Sequence, residues 1–200
     1  MARFVLSLQT ILAAIEFRVE PMTQENEAEM GAEEQGAAVT SGRWLTMPRT
    51  LCFVTNGDDV LLMKRAAHKR IFPNRYNGVG GHIERDEDPL TSARREIAEE
   101  TGLTEIADLT LRAVYNIDAG AETGITLFVF VGCSASREVQ ANAEGTLHWV
   151  NQADVIALDL VEDLPVILPR VLAMGAGDAP LFVHVSYDAA DRIQMRFAEG

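Results

Sequence analysis

The stretch from Asp88 to Gly102, DPLTSARREIAEETG, reads as a helix with both ends specified, and it stands among short β-prone runs. Asp88 is a good N-cap, Pro89 suits the first helical position, and Gly102 suits the position just past the end. Leu90, Ala93 and Ile97 share one face by the i, i+3, i+7 rule, so that stripe is expected to meet a core. Upstream, TLCFVT (50–55) and VLLMKR (60–65) flank Asn56-Gly57-Asp58-Asp59, a hairpin signal. A basic, Pro-containing loop from His68 to Arg75 and the run Tyr76-Asn77-Gly78-Val79-Gly80-Gly81 lead into the helix. Downstream, LTLRAVYNI (109–117) and ITLFVFVGC (125–133) read as core strands and Leu147 to Val150 as a shorter one. A second helix is expected over roughly Leu160–Met174, broken at or begun by Pro165 or Pro169. LFVHVSY (181–187) and RIQMRF (192–197) close the chain as a hairpin around Asp188-Ala189-Ala190-Asp191. Strands alternating with two helices predict an α/β fold, a mixed sheet covered on both faces.

The first 46 residues differ from this pattern. Arg3 precedes a mostly apolar run, Phe4 to Ile15, but Glu16 and Arg18 follow it where a signal peptide needs a small-residue cleavage site. Glu20 to Glu34 then holds six glutamates and no basic residue, a composition that cannot offset its ordering entropy. The expected organisation is therefore an extension over residues 1–46, poorly ordered from about residue 20, and a functional domain over residues 47–200 beginning at Met47-Pro48-Arg49. At 48% hydrophobic residues the chain can bury a substantial core. Its 17 basic against 30 acidic residues, net −13, argue against a nucleic-acid polymer as partner, because phosphate backbones need a Lys/Arg surface. Single nucleotides stay open, since bound metal can carry their charge. Cys52 and Cys133 lie far apart in apolar stretches and read as buried thiols of a cytoplasmic protein. No apolar run approaches a membrane span.

The chemistry lies on the capped helix. Glu96, Glu99 and Glu100, spaced i, i+3, i+4, stand side by side, with Glu96 and Glu100 bordering the apolar stripe. Three like charges at the edge of a core raise each other's pKa unless a cation sits among them, and magnesium or manganese prefers such oxygen ligands. A solvated acidic face would explain an isolated glutamate pair, but not the Gly-rich turn before it. Gly78-Val79-Gly80-Gly81 lets the backbone approach a ligand and offers carbonyl and N–H groups.

Residues 81–103, GHIERDEDPLTSARREIAEETGL, resemble the Nudix box at every defined position: Gly81, Glu87, Arg95, Glu96, Ile97, Glu99, Glu100, Gly102 and Leu103. The strand order from about Met47 to the C-terminus is also similar to that family, whose α/β/α sandwich holds a mixed β-sheet between helices. The resemblance implies that Glu99 and Glu100 bind Mg2+, or Mn2+, with the Gly80 carbonyl as a further ligand. It implies that Glu96 shares the metal or positions the attacking water, and that Arg95 fixes the Glu96 carboxylate, for which its planar fork suits it. Glu87 would orient the loop, join an outer metal shell or simply favour the helix N-terminus. A further metal-binding glutamate is implied beyond the box; Glu144 sits where MutT-like members carry it, and Glu138 is the rival. Arg65 and Lys64, at the end of the second strand, are phosphate contacts or ordinary strand-end charges, with Arg65 ahead on the resemblance.

Asn77 to Gly81 is also similar to the run before the box in the branch that hydrolyses oxidised purine nucleoside triphosphates, where the asparagine bonds the base. Asp163, six residues before Pro169, resembles that branch's acidic base-reading position. Taken alone, each residue reads as a turn asparagine and a helix-start aspartate. Together they point to Mg-dependent hydrolysis of a purine nucleoside triphosphate, oxidised or not, to the monophosphate and pyrophosphate, as in nucleotide-pool sanitation. ADP-ribose or a dinucleotide polyphosphate is the alternative substrate, and a non-catalytic nucleotide-sensing regulator the alternative class. The small-molecule substrate is the expected partner, and the resemblance leaves a homodimer open.

Overall fold

The computed structural model describes Gly36, residues 42–140 and residues 143–199. The apolar run and the glutamate-rich stretch expected in the N-terminal extension lie outside the described residues. One eight-stranded sheet is built from β1 (Leu45–Asn56), β2 (Asp59–Arg65), β3 (Tyr76–Asn77), β4 (Ala107–Ile117), β5 (Thr123–Cys133), β6 (Gly145–Asn151), β7 (Leu181–Tyr187) and β8 (Ile193–Phe197). Two helices complete the fold, α1 (Pro89–Thr101) and α2 (Leu164–Ala173). The strand path is β3-β2-β1-β5-β4-β7-β8, with β6 paired to β2. The β1–β5 and β4–β7 pairs are parallel and the others antiparallel, which makes the sheet mixed.

The period-two alternation of the central strands divides the apolar residues between two cores. Leu51 and Phe53 of β1, with Val60 and Leu62 of β2, meet Leu164, Ile167, Leu168 and Val171 of α2. Cys52 and Val54, with Leu61 and Met63, meet Ala93 and Ile97 of α1 on the opposite face. This is the expected α/β/α sandwich. The first hairpin turns at Gly57, whose φ of 59° suits a residue without Cβ. β1 starts at Leu45, two residues ahead of Met47, and its parallel register with β5 runs from Leu45 opposite Thr123 to Thr55 opposite Cys133. Among the described residues, no helix is long and apolar enough to cross a membrane.

α1 has the expected ends. The Asp88 carboxylate accepts from the Leu90 and Thr91 amides, a cap worth about 1 kcal/mol, and Gly102 is left-handed at φ 78°. Its buried face differs from the expected stripe: Ala93 and Ile97 are buried with Ser92 and Thr101, while Leu90 is 40% exposed. Leu90 sits in the first turn, and the core contacts of α1 lie further along it. α2 is shorter than expected. It begins at Leu164, so Pro165 falls in the first turn, where a missing N–H costs nothing, and Pro169 is tolerated inside. Residues before it are engaged elsewhere. Asp159 O accepts from the Tyr76 amide (2.8 Å), Val161 N donates to Tyr76 O (3.0 Å), and Leu160 bridges Tyr76 in parallel. That strap cannot also be helix.

Candidate active site

The loop before α1 lies flat on β1. Cys52 and Val79 exchange both backbone hydrogen bonds (2.7 and 3.1 Å), and Thr50 N donates to Gly81 O (2.9 Å). The glycines therefore serve close packing on β1. A Cβ on Gly80, whose φ is 144°, would strike the Thr50 carbonyl, one on Gly78 the Cys52 carbonyl, and one on Gly81 the Glu96 carboxylate. The loop in turn holds the site. Gly80 N donates to Glu100 Oε2 (2.9 Å) and Gly78 N to Asn77 Oδ1 (2.9 Å).

Arg95 organises the carboxylates. Its Nε and Nη2 donate to the two oxygens of Glu87 (2.6 and 2.9 Å), a bidentate clamp between the loop and the helix. Its Nη1 donates to Glu96 Oε1 (2.8 Å) and Glu99 Oε2 (3.2 Å), and Nη2 reaches the His82 carbonyl (3.1 Å). Those hydrogen bonds hold the Glu87 carboxyl down to about 2. Glu96 is thereby fixed with only 12% of its side chain exposed, while Glu99 is 61% exposed.

Glu100 lies on the buried side of α1. Burial pushes its carboxyl up to about 7, with the charges of Glu96 and Glu144 adding to the effect; the Gly80 N–H and Arg65 oppose it. Glu100 thus feels Gly80, Glu96, Arg65 and Glu144, although β2, α1 and the loop before β6 are far apart in sequence. Glu138 instead lines a depression with Gly102, Leu103 and Glu105 beyond the C-terminal end of α1. Arg65 donates from Nε to the Ile71 carbonyl (2.9 Å), and Lys64 Nζ stands 5.6 Å from the Tyr76 ring centre. Both line a cleft of about 430 Å³ with His68, Asn74 and Thr146.

Asp163 precedes α2 without making a capping hydrogen bond. Burial holds its carboxyl above the ordinary range. The Tyr115 hydroxyl of β4 faces it without closing a well-formed hydrogen bond. Sequence reasoning missed Tyr115, whose only signal was an aromatic with a polar tip in a buried strand. It also missed Lys69, which pairs with Glu144. The basic loop in an acidic chain was the available signal.

Among the described residues, no three His, Cys, Asp or Glu side chains are already gathered as a cation site. Arg95 draws Glu96 and Glu99 to itself, and Lys69 draws Glu144. The donor set nonetheless fits a hard divalent ion: it is all oxygen, and Glu100 is destabilised as an anion by burial and then by the charges of Glu96 and Glu144. The Glu100 proton should therefore compete with metal. Mn2+ affinity, followed by electron paramagnetic resonance without nucleotide, is expected to rise about tenfold from pH 6 to pH 8. A flat profile would remove Glu100 from the metal site.

A mixed sheet between two helices, with a glycine loop feeding a glutamate-rich helix, is the architecture of the Nudix fold. The NUDIX domain family model matches residues 45–171, and the chain belongs to the Nudix family. It is accordingly a pyrophosphohydrolase. The nucleoside triphosphatase NudI of Escherichia coli O139:H28 is 33% identical over 117 residues, covering 54% of this chain and 83% of the relative. NudI of Shigella flexneri gives the same figures. Among solved structures, a MutT protein from Bacillus halodurans superposes with a TM-score of 0.64 at 25% identity, over 76% of this chain and 97% of its own. The MutT protein from Methanosarcina mazei Go1, at 20% identity and a TM-score of 0.55 over 64% of this chain and 93% of its own, shares the fold. Nudix hydrolases use divalent metal ions and act on nucleotide-like small molecules.

Proposed function

We propose that the protein hydrolyses purine nucleoside triphosphates, oxidised or not, to the monophosphate and pyrophosphate with Mg2+. One observation carries the purine reading. In the parallel bridge between Tyr76 and Leu160, Asn77 follows Tyr76 by one residue and Asp163 follows Leu160 by three, so both chains run on from the same end of that contact. Asn77 commits its amide oxygen to Gly78 N, which leaves recognition to its Nδ2 donors. A purine edge offering an O6 acceptor to Asn77 and an N7 group to Asp163 suits that pair. The relatedness to a nucleoside triphosphatase at 33% identity supports the triphosphate part.

In this reading Glu99, Glu100, Glu144 and the Gly80 carbonyl hold the ion. Bound there, it neutralises phosphate oxygens and lowers the pKa of water. Glu96, held in place by Arg95, accepts the proton of the attacking water, for which a fixed carboxylate is suited. Arg65, whose charge reaches Glu100, meets a phosphate oxygen in the same reading.

A nucleotide panel with Mg2+ tests the substrate. Purine deoxynucleoside triphosphates are expected to rank first, and oxidised guanine to gain over guanine, because oxidation turns N7 from acceptor into donor. One such buried hydrogen bond supports about ten- to a hundredfold in specificity. Since burial holds the Asp163 carboxyl above its ordinary range, the preference should strengthen as pH rises and the group ionises. Asp163→Ala should abolish the preference and leave slow hydrolysis. Activity confined to ADP-ribose or a dinucleotide polyphosphate would overturn the base-reading argument.

A further inference from the structure

Lys69 Nζ and Glu144 Oε1 form an ion pair of 2.5 Å, and both side chains are partly exposed. Their backbones meet at one residue: Ala66 N donates to Glu144 O (2.9 Å) and Ala66 O accepts from Lys69 N (3.1 Å). The chain positions are thus fixed, and only side-chain rotation is needed to part the charges. Neighbouring cations face other groups, Arg65 the Ile71 carbonyl, Lys64 the Tyr76 ring, and Arg75 Asp159 and Glu162. Like Arg95 on Glu96, Lys69 sits on a carboxylate whose charge reaches Glu100. Beside it opens the cleft lined by Lys64, Arg65 and His68.

We propose that Lys69 is a resident counter-cation of Glu144 that a divalent ion displaces, and that the released ammonium turns to the polyphosphate chain in the adjoining cleft. This rests on the reading of Glu144 as a metal ligand. A positive charge on Glu144 relieves its repulsion with Glu100 while no metal is bound, so the fold tolerates the cluster. With a divalent ion supplying that neutralisation, the Lys69 ammonium would become available as the phosphates arrive. A lysine suits the exchange because its flexible stem carries a point charge that needs no fixed fork.

The test uses the full chain with Mn2+ alone, followed by electron paramagnetic resonance, for wild type, Lys69→Met and Glu144→Gln. Lys69→Met should bind Mn2+ about two- to fivefold more tightly, the scale of a partly exposed ion pair. Glu144→Gln should bind it more weakly. If Glu144→Gln leaves affinity unchanged, the metal-ligand reading of Glu144 fails; if that variant weakens binding but Lys69→Met does not tighten it, the displacement fails alone. The second step is read by calorimetric titration with inorganic tripolyphosphate in saturating Mg2+, which carries no base to recognise. Lys69→Met should weaken that binding about tenfold, as loss of a charged hydrogen bond does. Equal binding in both proteins, or none in either, overturns the phosphate step. Melting temperatures close to wild type in EDTA confirm that both variants are folded.

Discussion

Glu100→Gln is expected to lower turnover at saturating Mg2+ by at least about two orders of magnitude, or about 2.7 kcal/mol, and yet to melt above wild type in EDTA at pH 8. Both effects arise from one buried charge. The ordinary value for the carboxyl is 4.5, and in the fold burial pushes it up to about 7. An unfolded chain therefore releases this proton first, so stability present below about pH 4.5 is lost as pH rises through 7. Allowing for the part of the group that water still screens, the loss at pH 8 is about 1–2 kcal/mol. Glutamine avoids it, which should raise the melting temperature by about 2–8 °C. The gain should vanish at pH 4, where the wild-type group is protonated in both states. In saturating Mg2+ the order should reverse, because the ion stabilises only the chain that binds it. A variant with wild-type turnover, or one less stable than wild type in EDTA at pH 8, would contradict the assignment.

Gly80→Ala should destabilise the fold by about 3 kcal/mol or more, from a backbone angle hostile to L residues and a collision that cannot relax. The new Cβ would strike the Thr50 carbonyl, and Gly80 has φ 144°. Thr50 cannot yield, since it lies within β1, opposite Phe128 of β5, and its amide donates to Gly81 O. Gly57→Ala is the matched control: its φ of 59° is also left-handed, but nothing lies within 4 Å of its Cβ position. That control should cost about 1 kcal/mol. Urea denaturation of the two variants reads what the collision and the more hostile angle at Gly80 add to an ordinary left-handed position. Equal costs would show that the glycine loop is not packed on β1 as described.

The sequence by itself determined the features that act over a few residues. Asp88, Pro89 and Gly102 end a helix through their own hydrogen bonds and backbone angles, and the i, i+3, i+4 spacing alone sets Glu96, Glu99 and Glu100 side by side. Alternation along TLCFVT and VLLMKR likewise sorts side chains to two faces before any partner strand is known. The nine positions of the Nudix box made the family legible because the chemistry needs those groups on one helix and its loop. Tertiary structure decided the rest, since parallel register and packing depend on groups far apart in the chain. It exposed Leu90, shortened α2 by engaging residues 159–161 with Tyr76, and packed the glycine loop on β1. It set Glu144 near Glu100 and placed Glu138 beyond the end of α1. Lys69 on Glu144 and Tyr115 facing Asp163 were equally out of reach, because a charge or hydroxyl finds its partner only once the sheet has closed the intervening loops.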